Sequence, residues 1–209
     1  MEKILHDLYG ELACFLNHSN PFQLLVATIL SAQCTDKKVN NVTPALFECY
    51  PDPAALADAE QHKVEELIHE CGFYRAKAQH IIGASRMIVE QYGGNVPDNM
   101  DDLTRLPGVG RKTANVVLGD AFHVPGLPVD THVKRLCNLL GIVKSQDPEQ
   151  IEQILCNALP PEKWAQFSHQ LILHGRTRCP ARRPDCAVCE LADLCDYARK
   201  IMIKKSKGS

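Results

Sequence analysis

The stretch Leu106-Pro107-Gly108-Val109-Gly110-Arg111-Lys112-Thr113-Ala114-Asn115 constrains this chain more than any other. Pro107 and Gly108 break the helical pattern of residues 101–105, and a new apolar run opens at Thr113. The segment therefore predicts helix, tight turn, helix. Glycine at 108 and 110 lets a ligand's backbone come close, and glycine reaches positive φ at little cost. The second helix directs its unpaired first-turn N–H groups and the positive end of its dipole over the turn. Such a turn grips phosphate. Lys112 falls in the first turn of that helix, as a candidate amine nucleophile. Taken alone, Pro-Gly-x-Gly fits an ordinary helix corner with an exposed lysine equally well.

The rest of the chain is patterned for helices. Ile4, Leu5, Leu8, Leu12 and Phe15 recur at helical spacing and predict an amphipathic helix over 2–17. A more apolar helix is expected over 22–32, then one over 36–47 capped by Asp36. Short helices over 53–58 and 61–70 precede a long one over 75–92, which Gly93-Gly94 stops. The hairpin's second helix should end near Phe122. An extended link over 123–128 leads into a helix starting at Val129-Asp130-Thr131-His132 and running to Leu140, with Asp130 as its cap. Further helices follow over 147–159 and 160–175. No two-residue alternation marks a strand. The expected class is all-α, about ten helices in two small bundles with a cleft between them.

Composition narrows the partners. An apolar share of 45% and a charged share of 23% exclude a disordered chain. The apolar stretch at 24–30 is far too short to span a bilayer, and the N-terminus lacks a signal-peptide pattern, so no membrane partner and a cytoplasmic location are expected. The net charge of −2 conceals an asymmetry: residues 1–104 carry 7 basic against 15 acidic side chains, and residues 105–209 carry 16 against 10. Positive charge thus begins at the Gly-rich turn and continues to the Lys204-Lys205-Ser206-Lys207 tail, as a phosphate-facing surface requires.

Ten cysteines in a chain of this kind do not read as a disulfide framework. Cys14, Cys34, Cys49, Cys71, Cys137 and Cys156 are scattered through apolar helical positions and are expected to be buried thiols. The other four form Cys179-x6-Cys186-x2-Cys189-x5-Cys195, which reads as a metal centre. Zinc and a [4Fe–4S] cube both take four thiolates; one close dyad flanked by two longer loops favours the cube. The loop between the first two cysteines carries Arg182 and Arg183, as solvated charge or as a pair of phosphate contacts.

The hairpin, the Val129-Asp130-Thr131-His132 segment and the cysteine spacing, in that order, resemble bacterial endonuclease III of the helix-hairpin-helix DNA glycosylases, over nearly the whole chain. The resemblance implies a six-helix domain at 15–125 containing the hairpin, and a [4Fe–4S] cluster domain built from 1–14 and 126–209. It implies a monomer, associated with the nucleoid, acting on duplex DNA that contains oxidised pyrimidines or abasic sites. Base excision is followed by strand cleavage. Lys112 matches the family's catalytic amine, Asp130 its catalytic carboxylate, and Cys179, Cys186, Cys189 and Cys195 the cluster ligands. Gln33 matches the residue that enters the stack where the damaged base has left. Phe73 replaces a leucine wedge common in the family, and an aromatic there can also pack against a base. Gly108 and Gly110 would hold the DNA backbone. Adenine-mismatch relatives lack the lysine at position 112. A non-catalytic DNA-binding module and a cluster-based redox protein are the other classes the motifs allow.

Overall fold

The computed structural model describes residues 1–206, with side chains through Met202; the side chains of the basic tail lie outside this range. Every regular element among the described residues is helical, and no helix is long and apolar enough to cross a membrane. The chain divides into two compact units, Cys14–Gly126 and Met1–Ala13 with Leu127–Ser209.

The first unit holds α2 (Pro21–Ser31), α3 (Asp36–Cys49), α4 (Pro53–Ala57), α5 (Gln61–Leu67), α6 (Tyr74–Tyr92), α7 (Met100–Arg105) and α8 (Arg111–Ala121). Its centre is α2, in which every residue from Leu24 to Leu30 is buried. A helix apolar on all sides needs neighbours on all sides, and α3, α6 and α8 pack against it. α6 buries Ile81, Ile82, Ala84 and Ile88 against this core and ends at Gly93 in the left-handed conformation. Most starts carry a side-chain cap: Asn20 accepts from the Gln23 N–H at 2.9 Å, Asp52 from Ala55 at 2.8 Å, and Asn99 from Asp102 at 3.0 Å.

The second unit holds α1 (Glu2–Tyr9), α9 (Thr131–Leu140), α10 (Pro148–Ala158), α11 (Trp164–Thr177) and α12 (Asp196–Ser206). α11 is its centre and packs against α1 and α9. Gln166 and Gln170 of α11 hold the chain just after α1: Gln166 donates to the Leu12 carbonyl and accepts from the Leu12 N–H, both at 2.8 Å, and Gln170 donates to the Gly10 carbonyl at 2.8 Å.

Three local expectations are corrected. The first helix stops at Tyr9 because Gly10 leaves helical geometry (φ 63°, ψ −155°), so Leu12 and Phe15 lie outside it. Thr35, not Asp36, caps α3; its hydroxyl accepts from the Lys38 N–H at 3.4 Å, and Asp36 is the first helical residue. Cys49, the last residue of α3, is exposed rather than buried; Cys14, Cys34 and Cys156 are half-buried.

Candidate active site

Within the first unit, three segments carry the residues singled out from sequence. The hairpin joins α7 to α8 through Leu106–Gly110, with Leu106 and Val109 buried as anchors. The Val109 N–H donates to the Leu106 carbonyl at 3.1 Å, closing the turn. Gly108 takes φ 77°, which strongly favours glycine. Gly110 caps α8 with no side-chain hydrogen bond, so the helix start presents backbone amides with no side chain competing for them. A Cβ at Gly110 would meet no atom within 4 Å. Lys112, second residue of α8, is exposed. The start of α8 is thus a row of backbone amides without a side-chain cap, with the Lys112 amine one residue inside it.

Gln33 and Phe73 come together from distant parts of the chain. A Cβ at Gly72 would lie 3.9 Å from the Gln33 carbonyl oxygen, so the loop after α2 abuts the loop before α6. Both residues are exposed, Phe73 at 70%, and both adopt left-handed backbone, φ 52° and 58°. Among the described residues only Gln33, Phe73, His123 and Arg183 are non-glycines at positive φ. Such conformations cost about 1 kcal/mol or more and cluster at functional sites. A large aromatic held both strained and solvent-exposed is unexplained by packing.

Within the second unit, Asp130 caps α9: its carboxylate accepts from the Val133 N–H at 2.8 Å. The preceding Pro128 carbonyl accepts from the Ser168 hydroxyl of α11 at 2.7 Å, which fixes the approach of the chain to Asp130. His132, half-buried, faces Gly175 of α11; a Cβ at Gly175 would lie 2.9 Å from His132 Nδ1, so α9 and α11 pack this closely only with glycine there.

Cys179, Cys186, Cys189 and Cys195 all line one cavity, among Leu136, Leu139, Leu140 and Tyr197. Among the described residues no set of three or more His, Cys, Asp or Glu groups is gathered tightly enough for a single metal ion. The four thiols around this cavity supply four sulfur donors, the number that zinc and a [4Fe–4S] cube each take. Burial pushes the Cys179 and Cys189 thiols up, opposing the thiolate that a metal requires. Arg135 acts against that at Cys179: its guanidinium donates to the Cys179 carbonyl at 2.7 Å, reaches the Cys179 Sγ at 3.8 Å, and donates to the Gly175 carbonyl at 3.2 Å. His174 Nε2 lies 3.5 Å from Cys189 Sγ, and Tyr9 Oη lies 2.9 Å from His174 Nδ1. Burial holds the His174 imidazole below its usual range, and a neutral ring bridging the two donates from one nitrogen and accepts at the other. Neither Arg135 nor His174 was singled out from sequence. Arg135 follows His132 by one helical turn, and that spacing is the only local signal of its role. Arg182 and Arg183 are exposed on the loop between the first two cysteines.

The profile of the HhH-GPD superfamily base excision DNA repair proteins matches residues 26–161. Endonuclease III of Synechocystis sp. is 54% identical over 197 residues, 94% of this chain and 90% of that protein. The structure of a non-covalent endonuclease III–DNA complex superposes with a TM-score of 0.92 at 42% identity, covering 96% of this chain and 94% of that one. A trapped endonuclease III–DNA covalent intermediate gives 0.92 at 42% identity, covering 96% and 95%. The chain belongs to the HhH-GPD superfamily of base excision DNA repair proteins.

Proposed function

We propose that this base excision repair glycosylase and abasic-site lyase removes oxidised pyrimidines from duplex DNA through an imine formed at Lys112. The observation that carries the reading is the exposed lysine one residue inside a helix start that no side chain caps. Phosphate held at that start brings the sugar of the same strand to the amine. Lys112 Nζ attacks the anomeric carbon and the base departs with the bonding electrons. The C1′–O4′ bond then opens, the ring oxygen taking a proton, and the resulting iminium acidifies the neighbouring sugar proton, whose removal expels the 3′ phosphate. Asp130 accepts the proton from Lys112 and stabilises positive charge developing on the sugar. Enzymes that act on a base or its glycosidic bond must take the nucleotide out of the stack. In this reading Gln33 fills the gap and Phe73 packs against the bases beside it. Arg182 and Arg183 contact phosphates, as do Gly108 and Gly110 through their backbone.

Cys179, Cys186, Cys189 and Cys195 would hold a [4Fe–4S] cluster, with Arg135 and His174 as donors to the thiolates. When bound, the cluster cross-links four points of a loop-rich segment and thereby fixes the basic Arg182–Arg183 loop. The unit of Cys14–Gly126 is then the hairpin domain, and the other the cluster domain. The enzyme works as a monomer in the cytoplasm, on the nucleoid.

Borohydride trapping on a duplex with one thymine glycol, comparing wild type with Lys112→Gln, tests this reading. A covalent adduct that requires Lys112 is expected. Base release without an adduct would instead mean a water nucleophile; neither product with binding intact would leave a DNA-binding module.

A further inference from the structure

Beneath the two left-handed residues Gln33 and Phe73 lie three reactive side chains that the proposed chemistry leaves unused. Cys34 follows Gln33 and is half-buried; Cys71 precedes the second loop and is fully buried in the same core. Their thiols lie near enough for each to act on the other's ionisation. Lys77, in the first turn of α6, is only 4% exposed. Its Nζ is sealed from solvent with no hydrogen-bond partner. Helical side chains lean toward the N-terminus of their helix, which carries Lys77 back to the thiols; Cys34 and Cys71 are the charges that act on it. Glu70 is the further charged group acting on Cys71.

A buried amine without a partner is costly and stands as the chemically open member of this trio. Burial holds Lys77 below the usual ammonium range and pushes Cys71 up to about 11. Burial alone disfavours both charged forms, and a proton passed from thiol to amine is sustained only as an adjacent ammonium–thiolate pair in which each charge stabilises the other; the thiolate is the form that reacts with oxidants.

We infer that Cys34, Cys71 and Lys77 form a peroxide-sensitive dithiol site whose oxidation ties the Gln33 loop to the Phe73 loop. Lys77 takes the Cys34 proton. The thiolate attacks one peroxide oxygen, the O–O bond breaks, and the ammonium returns the proton to the departing hydroxide as water, leaving a sulfenic acid on Cys34. The Cys71 sulfur then attacks the sulfenic sulfur. The S–O bond breaks, and the hydroxide leaves with the Cys71 proton as a second water. Two thiols are oxidised to a disulfide and one hydrogen peroxide is reduced to two waters. Cys34 is the half-exposed member that meets the oxidant, and Cys71 the buried member that resolves it. The loops already abut through Gly72 and the Gln33 carbonyl, so the bond forms between segments in place. The consequence for repair rests on the roles proposed for Gln33 and Phe73: a cross-link holds in one arrangement two loops that must enter a duplex from either side of the extruded nucleotide.

The test treats the reduced full-length holoprotein with graded hydrogen peroxide, alkylates remaining thiols, digests without reduction and maps the peptides by mass. The expected product is a Cys34–Cys71 cross-linked peptide, two hydrogens lighter than the reduced pair. It should be reversed by dithiothreitol and formed at doses that leave the iron absorbance unchanged. Lys77→Met should slow its formation about a hundredfold or more, the range for loss of a general base. Both peptides alkylated at doses that bleach the iron, Cys34 joined to another thiol, or an unchanged rate in Lys77→Met would each overturn the site. Cross-linked protein should nick thymine-glycol duplex at least about tenfold more slowly, recover on reduction, and keep full activity after peroxide when Cys34 is replaced by Ala. A cross-link that forms without slowing nicking would overturn the loop-tying consequence. The peptide map reads the site whether or not the chain cleaves DNA, so failure of the proposed function remains distinguishable.

Discussion

A Cβ atom added at Gly108 would lie 2.8 Å from the Cβ of His80, so the hairpin turn rests directly on α6 with no room for a side chain. Pro107 seals the same contact from the other side of the turn, its Cγ 3.3 Å from where a Cβ on Gly83 would be. Gly108→Ala therefore meets both a closed space and φ 77°. The expected loss is about 2–3 kcal/mol, combining left-handed strain with a displaced His80 or turn. Gly110→Ala, at φ −98° with nothing within 4 Å, should change stability by less than about 0.5 kcal/mol yet weaken DNA binding, because its methyl group faces the ligand side. Urea titration and fluorescence anisotropy on abasic duplex read the two effects. Equal destabilisation by both variants would contradict the packing difference.

Asp130 is both cap and proposed catalytic carboxylate, and two substitutions separate these roles. Asparagine caps a helix as well as aspartate does, so Asp130→Asn should keep the bond to the Val133 N–H and the melting temperature. Base release should still fall by about a hundredfold or more, the range for loss of a general base. Asp130→Ala should lose the same activity and also about 1 kcal/mol of stability. An Asn variant that excised at the wild-type rate would leave Asp130 a cap alone.

Phe73 is 70% exposed at φ 58°, a position where stability gains nothing from the ring. Phe73→Gly should raise stability by about 0.5–1 kcal/mol through relief of the left-handed strain. It should also lower affinity for lesion-containing duplex about tenfold, the order expected for one lost base–aromatic contact. Stability and binding moving in the same direction would argue that the ring is structural.

The Cys137 thiol is fully buried, and burial pushes it from 9.0 up to about 12. Because the folded value exceeds the unfolded one, the folded chain keeps its proton where the unfolded chain loses it. Its contribution is fully present below the unfolded value and is lost as pH rises between the two. Cys14, raised to about 12 chiefly by burial, acts in the same sense. Each thiol should contribute a slope of up to about 1.4 kcal/mol per pH unit across that window. Urea midpoints in mildly and strongly alkaline buffer should differ less in Cys137→Ala than in wild type; an unchanged difference would refute the assignment to this thiol.

Much of this protein was determined by sequence alone, wherever the governing physics acts between near neighbours. Helical spacing placed α2, α6 and α9, because the side of a helix that must be buried is written at three- and four-residue intervals. Pro107 and Gly108 placed the turn before Lys112, and the close spacing of four cysteines foretold that they line one cavity. Local signals failed at Gly10, where one left-handed glycine outweighed a continuing apolar pattern, and at Asp36, where Thr35 captured the cap. Tertiary structure alone decided that Gln33 and Phe73 adjoin and that Arg135 reaches Cys179. It also decided that Lys77, a residue type almost always at the surface, is sealed beside two thiols. Each of those depends on which distant segments pack together, and packing is settled by the whole core, not by the spacing of any one stretch of chain.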